Sequence, residues 1–155
     1  MRLAALLLAT CGYAGYFPFA PGTVGSAVGL VVYAALRATL PGAASDAAAV
    51  VAVLAAGTWA ATAAEEHFGK KDPGPIVIDE VLGMLVTLAF LDVGLSGAIV
   101  GFLLFRVFDI VKPYPAGKLE DLPRGLGVMA DDAMAGLYAH VTLRAVIWAV
   151  PQWVA

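Results

Sequence analysis

Cysteine, histidine and charge are all scarce in this chain of 155 residues. The single cysteine, Cys11, excludes an internal disulfide, because there is no second thiol to pair with it. The two histidines are isolated from each other, so nothing indicates a zinc site. Charged residues make up 14% of the sequence, and the bases neither cluster nor alternate with aromatic residues. This distribution excludes nucleic acid as an expected partner.

Hydrophobic residues, in contrast, make up 61% of the chain, and the mean hydropathy is +0.88. This composition is typical of a membrane protein, and the length predicts a single domain over residues 1–155. Apolar runs that suit membrane helices cover 24–40, 47–64, 81–105 and 131–150. The third run contains a turn signal near its middle, which favours two shorter helices in a hairpin. We therefore expect an all-α, compact integral-membrane helical bundle with about four to five membrane-embedded helices.

The basic residues predict how this bundle is oriented. They lie in two loops that fall on the same side of the membrane: Lys70 and Lys71 in one loop, and Lys112, Lys118 and Arg124 in the other. By the positive-inside rule, that side is the cytoplasmic one. Small residues on the helices allow close helix packing, and they leave a homodimer as an open alternative.

Three acidic clusters are expected to meet at this same face: Asp79 with Glu80, Asp109, and Asp131 with Asp132. An acid among apolar residues is costly unless it is paired or bound to a metal. Oxygen ligands favour Mg²⁺, so we interpret these five carboxylates as candidate metal ligands and catalytic groups. Two simpler explanations stay open, because acids commonly cap helix starts and because an Arg–Asp ion pair in this stripe could hold two helices together.

Bases and hydroxyl groups near the acids predict a place for phosphate. Arg106 and Lys112 flank Asp109 at helical spacing, so the three would share one face of a helix. Thr23 and Ser26 lie in a glycine-rich helix start, where backbone and hydroxyl groups donate to anions. That segment lacks the spacing of a nucleotide P-loop, so ATP binding is not indicated.

The ordered set of motifs is more specific than any one of them. It consists of Pro18-Phe-Ala-Pro21-Gly-Thr-Val-Gly25-Ser26, Ile76-Val-Ile-Asp79-Glu80 with Gly83 and Thr87, Phe105-Arg106 with Phe108-Asp109-Ile and Lys112-Pro113, Leu119-Glu120, and Gly125-Leu-Gly127-Val-Met129-Ala-Asp131-Asp132 with Ala135-Gly136. In this set the chain resembles the phosphatidylglycerophosphatase A family of bacterial membrane lipid phosphatases. The resemblance covers about residues 18–139.

The resemblance implies a Mg²⁺-dependent hydrolase that converts phosphatidylglycerophosphate to phosphatidylglycerol and phosphate in phospholipid biosynthesis. It also implies an all-α fold and a location in the bacterial inner (cytoplasmic) membrane. With the orientation above, the enzyme is multi-pass, its active site faces the cytoplasm, and its substrate is a lipid of the surrounding bilayer.

A mechanism follows as a hypothesis. Mg²⁺ held by some of the five carboxylates would bind the terminal phosphate and activate a water molecule. The two bases and the two hydroxyl groups would neutralise the phosphate oxygens, and Asp79 or Asp132 would act as the base. The alternative is a small membrane transporter or ion-relay subunit that uses the clustered carboxylates. It predicts acids at mid-membrane depth, whereas these acids lie at span ends on one side, which favours the enzyme.

Overall fold

The computed structural model describes residues 2–154, and the side chains of residues 2–152. In this part of the chain every regular element is helical, as the sequence predicts. The α-helices are α1 (Arg2–Ala9), α2 (Pro21–Thr39), α3 (Ala43–Phe68), α4 (Ile78–Leu88), α5 (Leu95–Val111), α6 (Ala116–Leu119), α7 (Gly125–Ala149) and α8 (Pro151–Val154), with a short 3-10 helix at Ala14–Tyr16.

Helix α4 forms the centre of the bundle. It packs against α2, α3, α5 and α7, and its side chains Leu82, Met84 and Leu88 are fully buried. A helix that is apolar on all sides is stable only when other helices surround it. At 1.5 Å per residue, its 11 residues span about 16 Å, roughly half the thickness of a bilayer's hydrocarbon core.

Glycines let the neighbouring helices approach α4 closely. A Cβ atom on Gly83 would lie 2.2 Å from the ring of Phe105 in α5. One on Gly136 of α7 would lie 2.5 Å from the Gly83 carbonyl oxygen, and one on Gly29 of α2 would lie 2.7 Å from Met84. Small residues at helix crossings are typical of membrane proteins, where close packing has to replace the hydrophobic effect.

Polar contacts stabilise the C-terminal end of α4, where the chain continues toward α5. Asp46 of α3 is buried, and one of its carboxylate oxygens accepts hydrogen bonds from Arg37 of α2 and from the Phe90 backbone N–H, each at 2.7 Å. The carbonyl oxygen of Leu91 accepts hydrogen bonds from Tyr33 and Arg37, both at 2.9 Å. This cluster therefore satisfies two backbone groups of the non-helical segment that connects α4 to α5.

Within residues 2–154, two helices are long and apolar enough to cross a membrane, namely α2 and α3. Their outer faces expose apolar side chains such as Val31 and Val51, which suits contact with lipid. The two long, apolar helices are consistent with membrane association. The expectation of about four to five membrane-embedded helices stays a prediction.

The predicted helix boundaries are partly confirmed. The expected hairpin in the third apolar run is present, since α4 ends at Leu88 and α5 begins at Leu95. The expectation that the last helix begins at about Asp131 is wrong, because α7 begins at Gly125. Asp131 and Asp132 therefore lie almost two turns inside the helix, and the explanation that they are helix caps does not apply to them.

Replacing Gly83 with alanine tests the close approach to α4. Overpacking costs about 1–3 kcal/mol, which exceeds the gain of about 0.5–1 kcal/mol for alanine over glycine in a helix. We expect Gly83→Ala to lower the thermal unfolding midpoint of the purified protein in detergent. Gly74→Ala is the control, since a Cβ there meets nothing within 4 Å. Equal midpoints for the two variants would contradict this packing.

Candidate active site

Two helices bring three of the five predicted carboxylates together. Asp79 and Glu80 lie in the first turn of α4, and Asp132 lies near the start of α7. One oxygen atom from each of these three side chains lies within 4.8 Å of the other two. Asp79 and Asp132 are buried, and Glu80 is half-buried. The structure thus joins residues that are more than 50 positions apart in the sequence.

Buried oxygen atoms without hydrogen-bond partners distinguish this cluster. In the described part of the chain they are one oxygen each of Asp79, Glu80, Asp131 and Asp132. Several carboxylates at this separation repel one another unless a cation or protons neutralise them. An all-oxygen set of this kind matches the ligands of a hard divalent cation, so the residues fit a metal ion such as Mg²⁺.

Asp109, the remaining predicted ligand, is engaged in an ion pair. Its Oδ2 atom lies 2.6 Å from Nη1 of Arg106, one turn earlier in α5. The same guanidinium nitrogen donates a hydrogen bond to Ser26 Oγ at 3.3 Å. Asp109 therefore pairs within α5 and does not hold two helices together as the simpler explanation required, and Arg106 lies beside Glu80 at the edge of the cluster.

Lys112 does not share a helix face with Arg106, so that part of the prediction is wrong. α5 ends at Val111, and Lys112 follows in a left-handed conformation with φ 46°. Its Nζ atom donates to Asp131 Oδ2 at 2.6 Å and also to Glu120. Burial lowers the pKa of Lys112, but these two hydrogen bonds outweigh it and hold the pKa above its usual range. The same contact lowers the pKa of Glu120.

Glu120 was not among the predicted site residues. Its only signal in the sequence is its place in the Leu119-Glu120 motif. The short helix α6 carries it to Lys112 from a loop that the sequence predicts to be irregular.

The glycine-rich start of α2 closes the site on another side. A Cβ on Gly22 would lie 2.3 Å from Glu80 Oε1 and 3.1 Å from Arg106 Nη1, so a larger residue here would displace the ends of these two side chains. Ser26 is buried and donates to the Gly22 carbonyl oxygen at 2.8 Å, whereas Thr23 is exposed. Both predicted hydroxyl groups thus lie on the helix that covers the cluster, and Ser26 contacts Arg106 directly.

Comparison with known proteins shows the family of this chain. The family model for phosphatidylglycerophosphatase A matches residues 7–147. The chain belongs to the phosphatidylglycerophosphatase A family. It is therefore a phosphatase, and the family predicted from the sequence motifs is confirmed.

Three curated relatives show how the family varies. A protein of Bacteroides thetaiotaomicron, provisionally named a phosphatidylinositol-3-phosphatase, is 38% identical over 94% of each chain. The phosphatidylglycerophosphatase A of Haemophilus influenzae is 32% identical over 95% of this chain and 88% of the relative. That of Escherichia coli is 31% identical over 84% and 76%. No solved structure matches this phosphatidylglycerophosphatase A family member.

Neutralising one carboxylate tests whether the cluster holds a metal. Because like charges crowd the site, we expect Asp79→Asn and Asp132→Asn to raise the unfolding midpoint of the metal-free protein. Mg²⁺ should stabilise the wild type by about 2.7 kcal/mol at a hundred times its dissociation constant, and should stabilise the variants far less.

The measurement is thermal unfolding in detergent with EDTA or with Mg²⁺. Asp92→Asn serves as the control, since Asp92 is an exposed acid at the other end of the bundle. A Mg²⁺ response of wild-type size in both site variants would contradict a metal site made by these residues.

Proposed function

We propose that this protein is a Mg²⁺-dependent lipid phosphatase that hydrolyses phosphatidylglycerophosphate to phosphatidylglycerol and phosphate. The observation that carries the proposal is the set of four buried, unpartnered carboxylate oxygens beside two bases. Carboxylates outnumber the bases that contact them, so a phosphate dianion alone would be repelled from this site. The chemistry that a divalent cation supplies here is neutralisation of the phosphate charge and activation of water.

The roles proposed for the residues follow from their contacts. Asp79, Glu80 and Asp132 approach one another most closely and are the proposed ligands. Asp79 or Asp132 also takes the proton from the attacking water, through whichever oxygen is not used as a ligand. Direct attack by water is the proposed route.

Both bases are held at the edge of the cluster by acids. Arg106 is paired with Asp109, and Lys112 with Asp131 and Glu120. Arginine meets phosphate oxygens in a bidentate geometry and lysine as a point charge, so Arg106 and Lys112 are the proposed phosphate-binding residues. Asp109 and Asp131 keep these bases in place before the substrate arrives and are adjacent to the proposed ligands.

The substrate assignment rests on the relatives. Two of them are named phosphatidylglycerophosphatase A, and one is provisionally named for phosphatidylinositol 3-phosphate. All of these names describe a phosphate monoester on a glycerolipid headgroup. We propose phosphatidylglycerophosphate as the substrate, because the family model that spans most of the chain is named phosphatidylglycerophosphatase A.

The location is proposed on the same grounds. At 1.5 Å per residue α2 spans about 28 Å, which matches the hydrocarbon core of a bilayer of about 30 Å. We propose a multi-pass protein of the bacterial inner membrane, with the carboxylate cluster on the cytoplasmic side by the positive-inside rule. A homodimer is compatible with the small residues on the helices. A transporter is less well supported, because the unpartnered carboxylates all lie at one end of the bundle.

A phosphate-release assay on purified protein in detergent tests the function. The wild type should release phosphate from phosphatidylglycerophosphate with Mg²⁺ and not with EDTA. Asp132→Asn and Asp109→Asn should each lower the rate by about a hundredfold or more, because they disturb the metal ligands and the phosphate-binding base. Asp92→Asn should retain the wild-type rate.

Two parallel substrates sharpen the assignment. Preferred hydrolysis of phosphatidylinositol 3-phosphate would retain the phosphatase and replace the substrate. Equal rates on phosphatidic acid would show that the site reads only the terminal phosphate. Release of phosphate that is unaffected by EDTA would contradict the metal-dependent mechanism.

A further inference from the structure

Four aromatic side chains project from the segment between α1 and α2. Residues 12–20, here called the aromatic loop, contain Tyr13, Tyr16, Phe17 and Phe19, which are 61%, 50%, 53% and 76% exposed. The loop contains no charged residue. Exposed aromatic residues this closely spaced are unusual on a surface that meets only water, and they mark interaction sites.

The backbone of the aromatic loop is held in place rather than free to fold back. Gly15 is buried, and a Cβ there would lie 2.0 Å from the Pro75 carbonyl oxygen in the segment that leads into α4. The Gly15 N–H donates to the Thr10 carbonyl oxygen at 3.0 Å, and the Tyr13 N–H donates to Thr10 Oγ1 at 3.2 Å. The rings are therefore presented outward by a fixed backbone.

The aromatic loop leads directly into the candidate active site. Phe19 is three residues before Gly22, which separates their Cα atoms by at most about 10 Å. Gly22 lies against Glu80 and Arg106. Whatever binds the aromatic rings is thus held beside the carboxylates and the phosphate-binding base.

The position of the aromatic loop relative to α2 indicates which partner contacts the aromatic rings. Among the described residues, α2 is one of two helices long and apolar enough to cross a membrane. An α2 that spans the bilayer would place the residues before it where the bilayer meets water. Tyrosine and other amphipathic rings prefer that interface. A loop with no charge offers a protein partner no electrostatic complementarity, whereas acyl chains require none.

We propose that the aromatic loop docks into the bilayer interface and delivers lipid laterally to the carboxylate cluster. The phosphate monoester would reach Arg106 while the acyl chains stay in contact with the rings. The delivery role depends on the proposed lipid phosphatase function, whereas the docking depends only on α2 crossing the membrane.

The first test measures the depth of the loop and needs no activity. A nitroxide is attached to Phe19→Cys in a Cys11→Ala background, and the protein is placed in vesicles of phosphatidylethanolamine and phosphatidylglycerol. Collisions with oxygen should exceed those with a water-soluble nickel complex. The control is the same label on Asp121→Cys, an exposed loop residue near Lys112's partners. It should show the opposite preference.

Two results would overturn the docking. One is a Phe19 label as accessible to the nickel complex as the Asp121 label. The other is spin–spin broadening that grows with the protein-to-lipid ratio, which would show that a second copy of the chain covers the loop instead of lipid.

The second test measures delivery. For Phe17→Ser with Phe19→Ser, the ratio of kcat/KM on vesicle-embedded phosphatidylglycerophosphate to kcat/KM on its dihexanoyl form, dissolved as monomers, should fall about fivefold or more. The control is Phe90→Ser, an aromatic residue 52% exposed at the other end of α4, which should keep the wild-type ratio. An unchanged ratio in the double variant would overturn delivery. A wild type inactive on every lipid would refute the proposed function, while the depth measurement would still decide the docking.

Discussion

Mutual repulsion among buried carboxylates is the constraint on which the rest of this structure depends. Asp79, Glu80 and Asp132 approach closely, and each leaves a buried oxygen without a partner. Ionised carboxylates at this separation repel one another, so packing elsewhere must supply the energy. Helix α4, buried at nine of its 11 positions, supplies it, with Phe105 packed on Gly83 and with the Gly136 backbone against the same turn. Repulsion within the site therefore lowers the stability of the fold, and packing at the helix crossings offsets it. This is expected where function takes precedence over stability.

The two bases show how the chain limits that cost. Arg106 and Lys112 each bind an acid at the edge of the cluster, and neither reaches the three closest carboxylates through an ion pair. An additional base at the centre would stabilise the metal-free protein but would also occupy the place of a cation. The arrangement leaves a strongly negative centre with a positively charged edge. Such a centre attracts a divalent cation, and such an edge attracts the phosphate oxygens once the central charge is neutralised.

The sequence predicted the convergence of the acids for two reasons. The number of predicted membrane spans between the acidic clusters places all of them on the same side, and the order of the motifs matches one family. It did not predict the start of α7. Gly125 and Gly127 were interpreted as part of a loop, yet a Cβ at Gly125 would lie 2.5 Å from the backbone of α3, and one at Gly127 would lie 2.6 Å from the Leu122 carbonyl oxygen. Glycine permits both turns and close contacts, and only the fold distinguishes these uses. The contact between Lys112 and Glu120 was missed for a related reason, since it depends on a left-handed residue after α5.

The short length of α4 connects the two polar regions of the molecule. A helix of about 16 Å among neighbours of about 26–39 Å ends below the surface on at least one side. Non-helical backbone at such depth is tolerated only when protein groups satisfy it. At the end that leads to α5, Tyr33, Arg37 and Asp46 do this for Phe90 and Leu91. At the opposite end, where α4 begins below the surface, the space is occupied by Asp79 and Glu80. A low dielectric there strengthens every interaction with a bound ion. The ion pair of Arg37 with Asp46 lies at one end of α4, and the candidate site lies at the other. Both therefore follow from the same feature, a central helix too short to reach both surfaces.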